Sequence, residues 1–312
     1  MANDLKFDKV RMVIGDPNRD LRSALSAILR QHGFNNVVLT GSFDVVKDAV
    51  DRDQVDLLVC DAELGLEEGR DFSKLVSNAR HGRLGGNPFI VIQTLIESPT
   101  AELMNRISVA GVDDIVLKPI TAGKVAERIM ILTKDRKDFV VTTDYVGPDR
   151  RSKHRPGTQE IKTLEVPNPV LVRASGGDVQ AMEAEIRAAM HTINEQKVER
   201  HAFQIDYLVN QILPGYQEGV SDKKLIPLVE KLALVAKDIG RRLKTTQYEH
   251  VGDLCVSVFD VAVRIRRKAA RPDHKDLELL PNLAMAINLA FKDNQADIAA
   301  AHNISESVKA RH

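Results

Sequence analysis

The segment "LLVCDAELGLEEG" (residues 57–69) decides the fold. Leu57, Leu58, Val59 and Cys60 form an apolar run that ends in Asp61. An unpaired charge is costly to bury, so the run is a strand that either delivers Asp61 to solvent or meets a cation there. Outward from this segment the same texture repeats. Short β-rich runs stand at "VRMVIGD" (10–16), "NVVLT" (36–40), "DLLVCD" (56–61), "FIVIQT" (89–94) and "DIVLKP" (114–119). Between them lie stretches with helical spacing. One is "RDLRSALSAILRQHG", which puts Leu21, Leu25, Ile28 and Leu29 on one face and stops at Gly33. Another is "SPTAELMNRISVAG", which opens with a Ser98 cap and Pro99. Continuous apolar strands alternating with helices predict an α/β, doubly wound, parallel five-stranded sheet with helices on both faces.

Ligands of such sheets bind at the carboxyl ends of the strands. Four polar residues stand there: Asp16, Asp61, Thr94 and Lys118, the last followed by Pro119. Lys118 supplies the cation that Asp61 needs, and Asp16 beside Asp61 makes a seat for a divalent cation. The set suits phosphoryl transfer. A carboxylate can attack phosphorus once its repulsion with the incoming phosphate is cancelled by Mg²⁺ and a lysine, while a hydroxyl donates to a phosphoryl oxygen.

These residues, in "MVIGDPN", "LLVCDAEL", "VIQTL" and "VLKPI", make residues 8–134 resemble the receiver domain of bacterial two-component response regulators, which has a flavodoxin-like fold. The resemblance implies that Asp61 is the phosphoacceptor and that Thr94 and Lys118 act on the phosphoryl group. It implies a Mg²⁺ cofactor held by Asp16, Asp61 and the backbone carbonyl of Glu63. The donor would be a histidine kinase or a phosphotransfer protein in a phosphorelay. The chain is then a phosphoacceptor with self-dephosphorylation rather than an enzyme. It departs from the family pattern by a longer loop, "RHGRLGGNP" (80–88), before the fourth strand, and at three single positions. Gly15 precedes Asp16 where a second acid is usual, Gly65 stands where proline is common, and Ile115 occupies a position often aromatic. The missing acid predicts a weak Mg²⁺ site.

Length and composition set the rest. The 312 residues fit two domains. Lys plus Arg and Asp plus Glu number 44 each, so no net charge drives binding to nucleic acid or an anionic membrane. No apolar run is long enough to span a bilayer, and "MANDLKFDKV" lacks a signal-peptide core. Cys60 and Cys255 suggest no disulfide framework; a cytoplasmic location is expected. The division expected is a receiver at 1–137, a proline-rich linker at 138–177 and an all-α helical bundle at 178–312. Amphipathic stripes predict helices near 178–212, 222–240, 246–270 and 275–292. The first stripe falters between Asn194 and Arg200, and "LPGY" is expected to end that helix. No helix-turn-helix is apparent, and His191 and His201 lack the "xxKG" context of a phosphotransfer histidine. The bundle is therefore expected to be a protein-interaction or dimerisation output, binding an unidentified protein or a second copy. The alternatives are a nucleic-acid-binding regulator using the basic clusters at 150–155 and 264–275, or a scaffold whose receiver is degenerate.

Overall fold

A computed structural model describes residues 5–150, 163–219, 222–243 and 248–291. The chain forms two compact units, residues 1–192 and 193–312.

The first unit is built on β1 (Met12–Gly15), β2 (Val37–Thr40), β3 (Leu57–Asp61), β4 (Val91–Ile96) and β5 (Asp114–Leu117). They form one sheet in the order β2-β1-β3-β4-β5, and every pairing is parallel. Helices α1 (Arg19–Gln31) and α5 (Ala122–Lys134) cover one face, where Leu25, Leu29, Val125 and Ile129 meet Met12, Ile14, Leu57 and Val59. Helices α2 (Phe43–Asp51), α3 (Phe72–Arg80) and α4 (Ala101–Ala110) cover the other, against Val13, Leu58, Cys60 and Ile92. Burial on both faces explains the uninterrupted apolar strands. Local signals set the helix starts: the side chains of Asn18, Asp71, Thr100 and Thr121 each accept from a backbone N–H in the first turn.

Residues 138–177, read from sequence as a linker, contain regular structure. Strands β6 (Phe139–Val141), β7 (Val146–Pro148) and β8 (Thr163–Leu164) form a second, antiparallel sheet in the order β7-β6-β8. Helix α6 (Pro169–Ala174) follows, capped by Asn168 with Pro169 at its first turn. Val170 and Ala174 join the core on the α1–α5 face.

Among the described residues, four long helices follow: α7 (Val179–Gln217), α8 (Asp222–Leu243), α9 (Glu249–Arg267) and α10 (His274–Ala290). In the second unit they share one core that includes Ile205, Ile212, Leu232, Ile239, Leu254, Val258, Leu283 and Ile287. "LPGY" does not end α7, which runs through Pro214 to Gln217. A proline so near the end removes one ladder bond, while Leu213 and Tyr216 pack on the core. The faltering stripe is a buried polar seam. Asp238 accepts from Arg242 Nε (2.9 Å) and lies 3.2 Å from His201 Nε2, and Arg242 also donates to Asn194. His201 is thus buried in the core.

Candidate functional site

Asp16 follows β1, and Asp61 is the last residue of β3, the neighbouring strand. Thr94 lies on β4, paired with Cys60, and Lys118 directly follows β5. The parallel order brings all four to one end of the sheet. Asp61 meets a cation there: Lys118 Nζ lies 2.6 Å from Asp61 Oδ2 and 2.7 Å from Asp16 Oδ2. Asp16 is fully buried and Asp61 nearly so. Each carboxylate's other oxygen is held by the chain two residues on: Asn18 N–H donates to Asp16 Oδ1 and Glu63 N–H to Asp61 Oδ1, both at 2.8 Å. These Asx-type bonds fix the carboxylate planes. Burial pulls the Lys118 ammonium down, but its hydrogen bonds to Asp16 and Asp61 outweigh that and raise its pKa, so it stays charged.

Thr94 Oγ1 is buried and has no hydrogen-bond partner. A hydroxyl in that condition is a donor waiting for an acceptor. Cys60, beside Asp61, is fully buried, and burial followed by the charge of Asp61 pushes its thiol pKa well up, so it packs as a small apolar group.

The departures from the family pattern have physical causes here. A Cβ at Gly15 would lie 2.9 Å from Val46 Cγ2 and 3.0 Å from both Cys60 Sγ and Leu64 Cδ2. The place of a second acid is filled with apolar side chains. Gly65 adopts φ +79°, a conformation closed to proline and strained for other residues. Ile115 packs at the edge of the α2–α4 core. Arg22, which the sequence reading did not single out, donates to the carbonyl oxygens of Asp16 and Pro17. Its position one turn into α1 was the available signal.

The donor set fits a Mg²⁺ ion in charge and ligand type. Asp16, Asp61 and Lys118 sum to a formal charge of −1, two carboxylates against one ammonium. That suits a hard cation, which is commonly held by one or two carboxylates together with water and phosphate oxygens. The Glu63 carbonyl is engaged by Leu66 N–H at 2.9 Å but keeps a second lone pair. Among the described residues no group of three or more His, Cys, Asp or Glu side chains could hold a metal. The fit is therefore to a sparse site, Asp16 and Asp61 with a backbone carbonyl.

The other sequence candidates lie elsewhere. In the 264–275 cluster, Arg264 pairs with Asp276 (2.8 Å) and Arg266 with Glu230 (3.3 Å), ordinary ion pairs of a helix end. Of the 150–155 cluster, only Arg150 falls within the described residues. No described helix is long and apolar enough to cross a membrane.

Residues 12–130 match the family model of the response regulator receiver domain. Solved structures similar to the chain include a CheY-like response regulator receiver domain protein from Methanospirillum hungatei JF-1, with 18% identity over 39% of this chain and 90% of that one, and a TM-score of 0.34. A response regulator from Thermotoga maritima shows 23% identity, 39% and 95% coverage, and a TM-score of 0.32. Full-length FixJ from B. japonicum shows 15% identity, 88% and 97% coverage, and a TM-score of 0.31. No curated protein matches the chain.

Proposed function

We propose, from the premise that residues 12–130 are a response regulator receiver domain, that Asp61 accepts a phosphoryl group from a histidine kinase or phosphotransfer protein and that the helical unit is a protein-interaction output. The observation that carries this reading is the single ammonium of Lys118 bridging Asp16 and Asp61 at 2.7 and 2.6 Å.

An Asp61 carboxylate oxygen attacks the phosphorus of a phosphohistidine. The P–N bond breaks, its electron pair stays on the imidazole nitrogen, which takes up a proton, and an acyl phosphate forms. Lys118 turns from the carboxylate pair to the phosphoryl oxygens, where its charge is held ready by its raised pKa. The Thr94 hydroxyl, unpartnered before the reaction, gains an acceptor. Mg²⁺, when bound by Asp16, Asp61 and the Glu63 carbonyl, supplies charge that offsets the repulsion between carboxylate and phosphate. Hydrolysis returns the carboxylate: water attacks phosphorus and the P–O bond to Asp61 breaks. The chain is thus consumed and regenerated as a phosphoacceptor.

The test is labelling of the full chain by acetyl phosphate with and without Mg²⁺. The wild type should incorporate one phosphate with millimolar dependence on Mg²⁺, as about two acidic ligands imply. Asp61→Asn should incorporate none, and equal labelling of that variant would refute the assignment.

For the helical unit, the support is a continuous apolar core shared by four amphipathic helices, and exposed Phe203 and Tyr207 one turn apart on α7. Such a unit offers surface to a protein; toward a nucleic-acid backbone its basic cluster is weakened, since two of its six Lys and Arg side chains, Arg264 and Arg266, are already paired.

A further inference from the structure

The amino end of the five-stranded sheet carries charges that the site does not use. Asp56 immediately precedes β3 and Asp113 immediately precedes β5. Both side chains are buried, and each is held by two arginines. Arg11 grips Asp56 with Nη2 on Oδ1 at 2.7 Å and Nε on Oδ2 at 3.0 Å. Arg173 Nε approaches Asp56 Oδ2 at 2.7 Å as an ion pair without an aligned hydrogen bond. Arg80 Nη2 lies 2.7 Å from Asp113 Oδ2, and Arg136 Nε lies 2.8 Å from Asp113 Oδ1. In both cases one arginine belongs to the sheet and its helices and the other to the chain beyond α5.

The segment beyond α5 is fastened by more than charge. Arg136 also donates to the carbonyls of Phe89 (2.6 Å), Pro167 (3.1 Å) and Ile90 (3.2 Å). The fully buried ring of Phe139 lies under both guanidiniums, 5.2 Å from Arg80 and 5.0 Å from Arg136, and edge-on to Phe89. Arg150 donates to the carbonyl of Val112 at 2.6 Å. Asn168 donates to the carbonyls of Leu132 and Thr133. The backbone of β7 lies directly on the end of α4: a Cβ at Gly111 would be 2.7 Å from the Val146 oxygen, and one at Gly147 would be 2.9 Å from the Gly111 Cα.

The pairing is redundant in one direction. Remove Arg136 and Asp113 still has Arg80; remove Arg173 and Asp56 still has Arg11. An uncompensated buried carboxylate would be severely destabilising, and here detachment of the later segment leaves none. We propose that residues 136–150 and 163–176 form a releasable strap across the amino end of the receiver sheet: docked as a structured layer in the resting chain, and separable from it without unfolding the receiver. The strap lies at the opposite end of the sheet from Asp61, so its release uncovers surface without disturbing the site. A chain that folds in layers of unequal stability opens the weaker layer first.

The test uses the full chain and hydrogen exchange. In the wild type, the amides of Phe139–Val141 and Val170–Ala174 should be protected, though less strongly than those expected to be best protected, Leu57–Cys60 in β3. In the double variant Arg136→Met/Arg173→Met, the strap amides should lose their protection while β3 keeps its own. Gly147→Ala, whose Cβ would crowd both the Tyr145 ring and the Gly111 backbone and which removes no ion pair, should give the same split should the double variant fail to fold. Free-peptide exchange of the strap in the wild type would make it a linker and overturn the proposal. Loss of β3 protection together with the strap in Gly147→Ala would make the strap part of an indivisible core, and would overturn it equally.

Discussion

Two pairs of aspartates with buried side chains, Asp16 with Asp61 at the carboxyl end of the five-stranded sheet and Asp56 with Asp113 at its amino end, are treated in opposite ways. At the carboxyl end, Asp16 and Asp61 share one ammonium, for a formal sum of −1. At the amino end, Asp56 and Asp113 share four guanidiniums, two each, for a sum of +2. The cation type differs as well. Lysine is a compact charge on a flexible stem and can leave one partner for another, whereas the arginine fork locks planar geometry. An under-compensated pair with a movable cation is open to chemistry. An over-compensated pair with fixed forks is closed to it, and serves instead to join two layers of chain.

The widest break in this comparison comes from removing the movable cation. Lys118→Met leaves Asp16 and Asp61 facing each other with no cation, and takes away the charge that meets the phosphoryl oxygens. Labelling by acetyl phosphate should fall by about 10²–10³-fold, as for other losses of a fixed stabilising donor. Single-turnover labelling checks this; a rate within a few-fold of wild type would mean that the pairing at 2.6 and 2.7 Å is structural, like that at the amino end.

Arg80→Met attacks the opposite end. Arg80 is fully buried, and burial lowers its pKa to about 10 even against Asp113. Breaking a buried pair costs about 3–5 kcal/mol, and because Arg136 stays on Asp113 the loss should fall at the low end, read as a shifted denaturant midpoint. Labelling of the folded fraction should be unchanged. The acid limb sharpens the contrast. Burial raises the Asp113 pKa, but Arg136 and then Arg80 outweigh it and hold it below the ordinary 3.8. A carboxyl depressed on folding stabilises above its unfolded value and loses that stabilisation as pH falls through its folded value. The penalty of Arg80→Met should therefore shrink below about pH 3.8.

The carboxyl end was legible in the sequence and the amino end was not. Asp61 after "LLVC" and Lys118 after "DIVL" stand out because polar residues interrupt apolar runs, and the parallel topology then converges them. Strand bounds moved by a residue or two; β4 begins at Val91 rather than Phe89, because Phe89 turns into the cluster with Phe139. Arg80, Arg136 and Arg173 carry no such mark. A lone arginine near a helix end reads as a solvated cap, and only the fold shows it buried on a carboxylate from a distant strand. The Asn168-Pro169 start of α6 was a readable signal, hidden by the surrounding prolines. The seam in α7 reads in the sequence as a gap between Asn194 and Arg200, but its partners Asp238 and Arg242 lie a whole helix away.

The smallest expected effect sharpens the comparison at Gly15. By charge alone, an acid here would complete the under-compensated site and tighten its hold on Mg²⁺. The packing argues otherwise. The Cβ position is within 3.0 Å of Val46, Cys60 and Leu64, so the new carboxylate would enter an apolar layer, not the cluster of Asp16 and Asp61. Overpacking of this kind costs about 1–3 kcal/mol, and desolvating a charge adds to it. Gly15→Ala should already show the steric part as a lowered melting temperature, and Gly15→Asp should be less stable still. Neither should move the Mg²⁺ concentration that half-saturates labelling by more than about 2-fold, under 0.5 kcal/mol in binding. A clear tightening in Gly15→Asp would show that Val46 and Leu64 yield, and that a single substitution turns this sparse site into a fuller one.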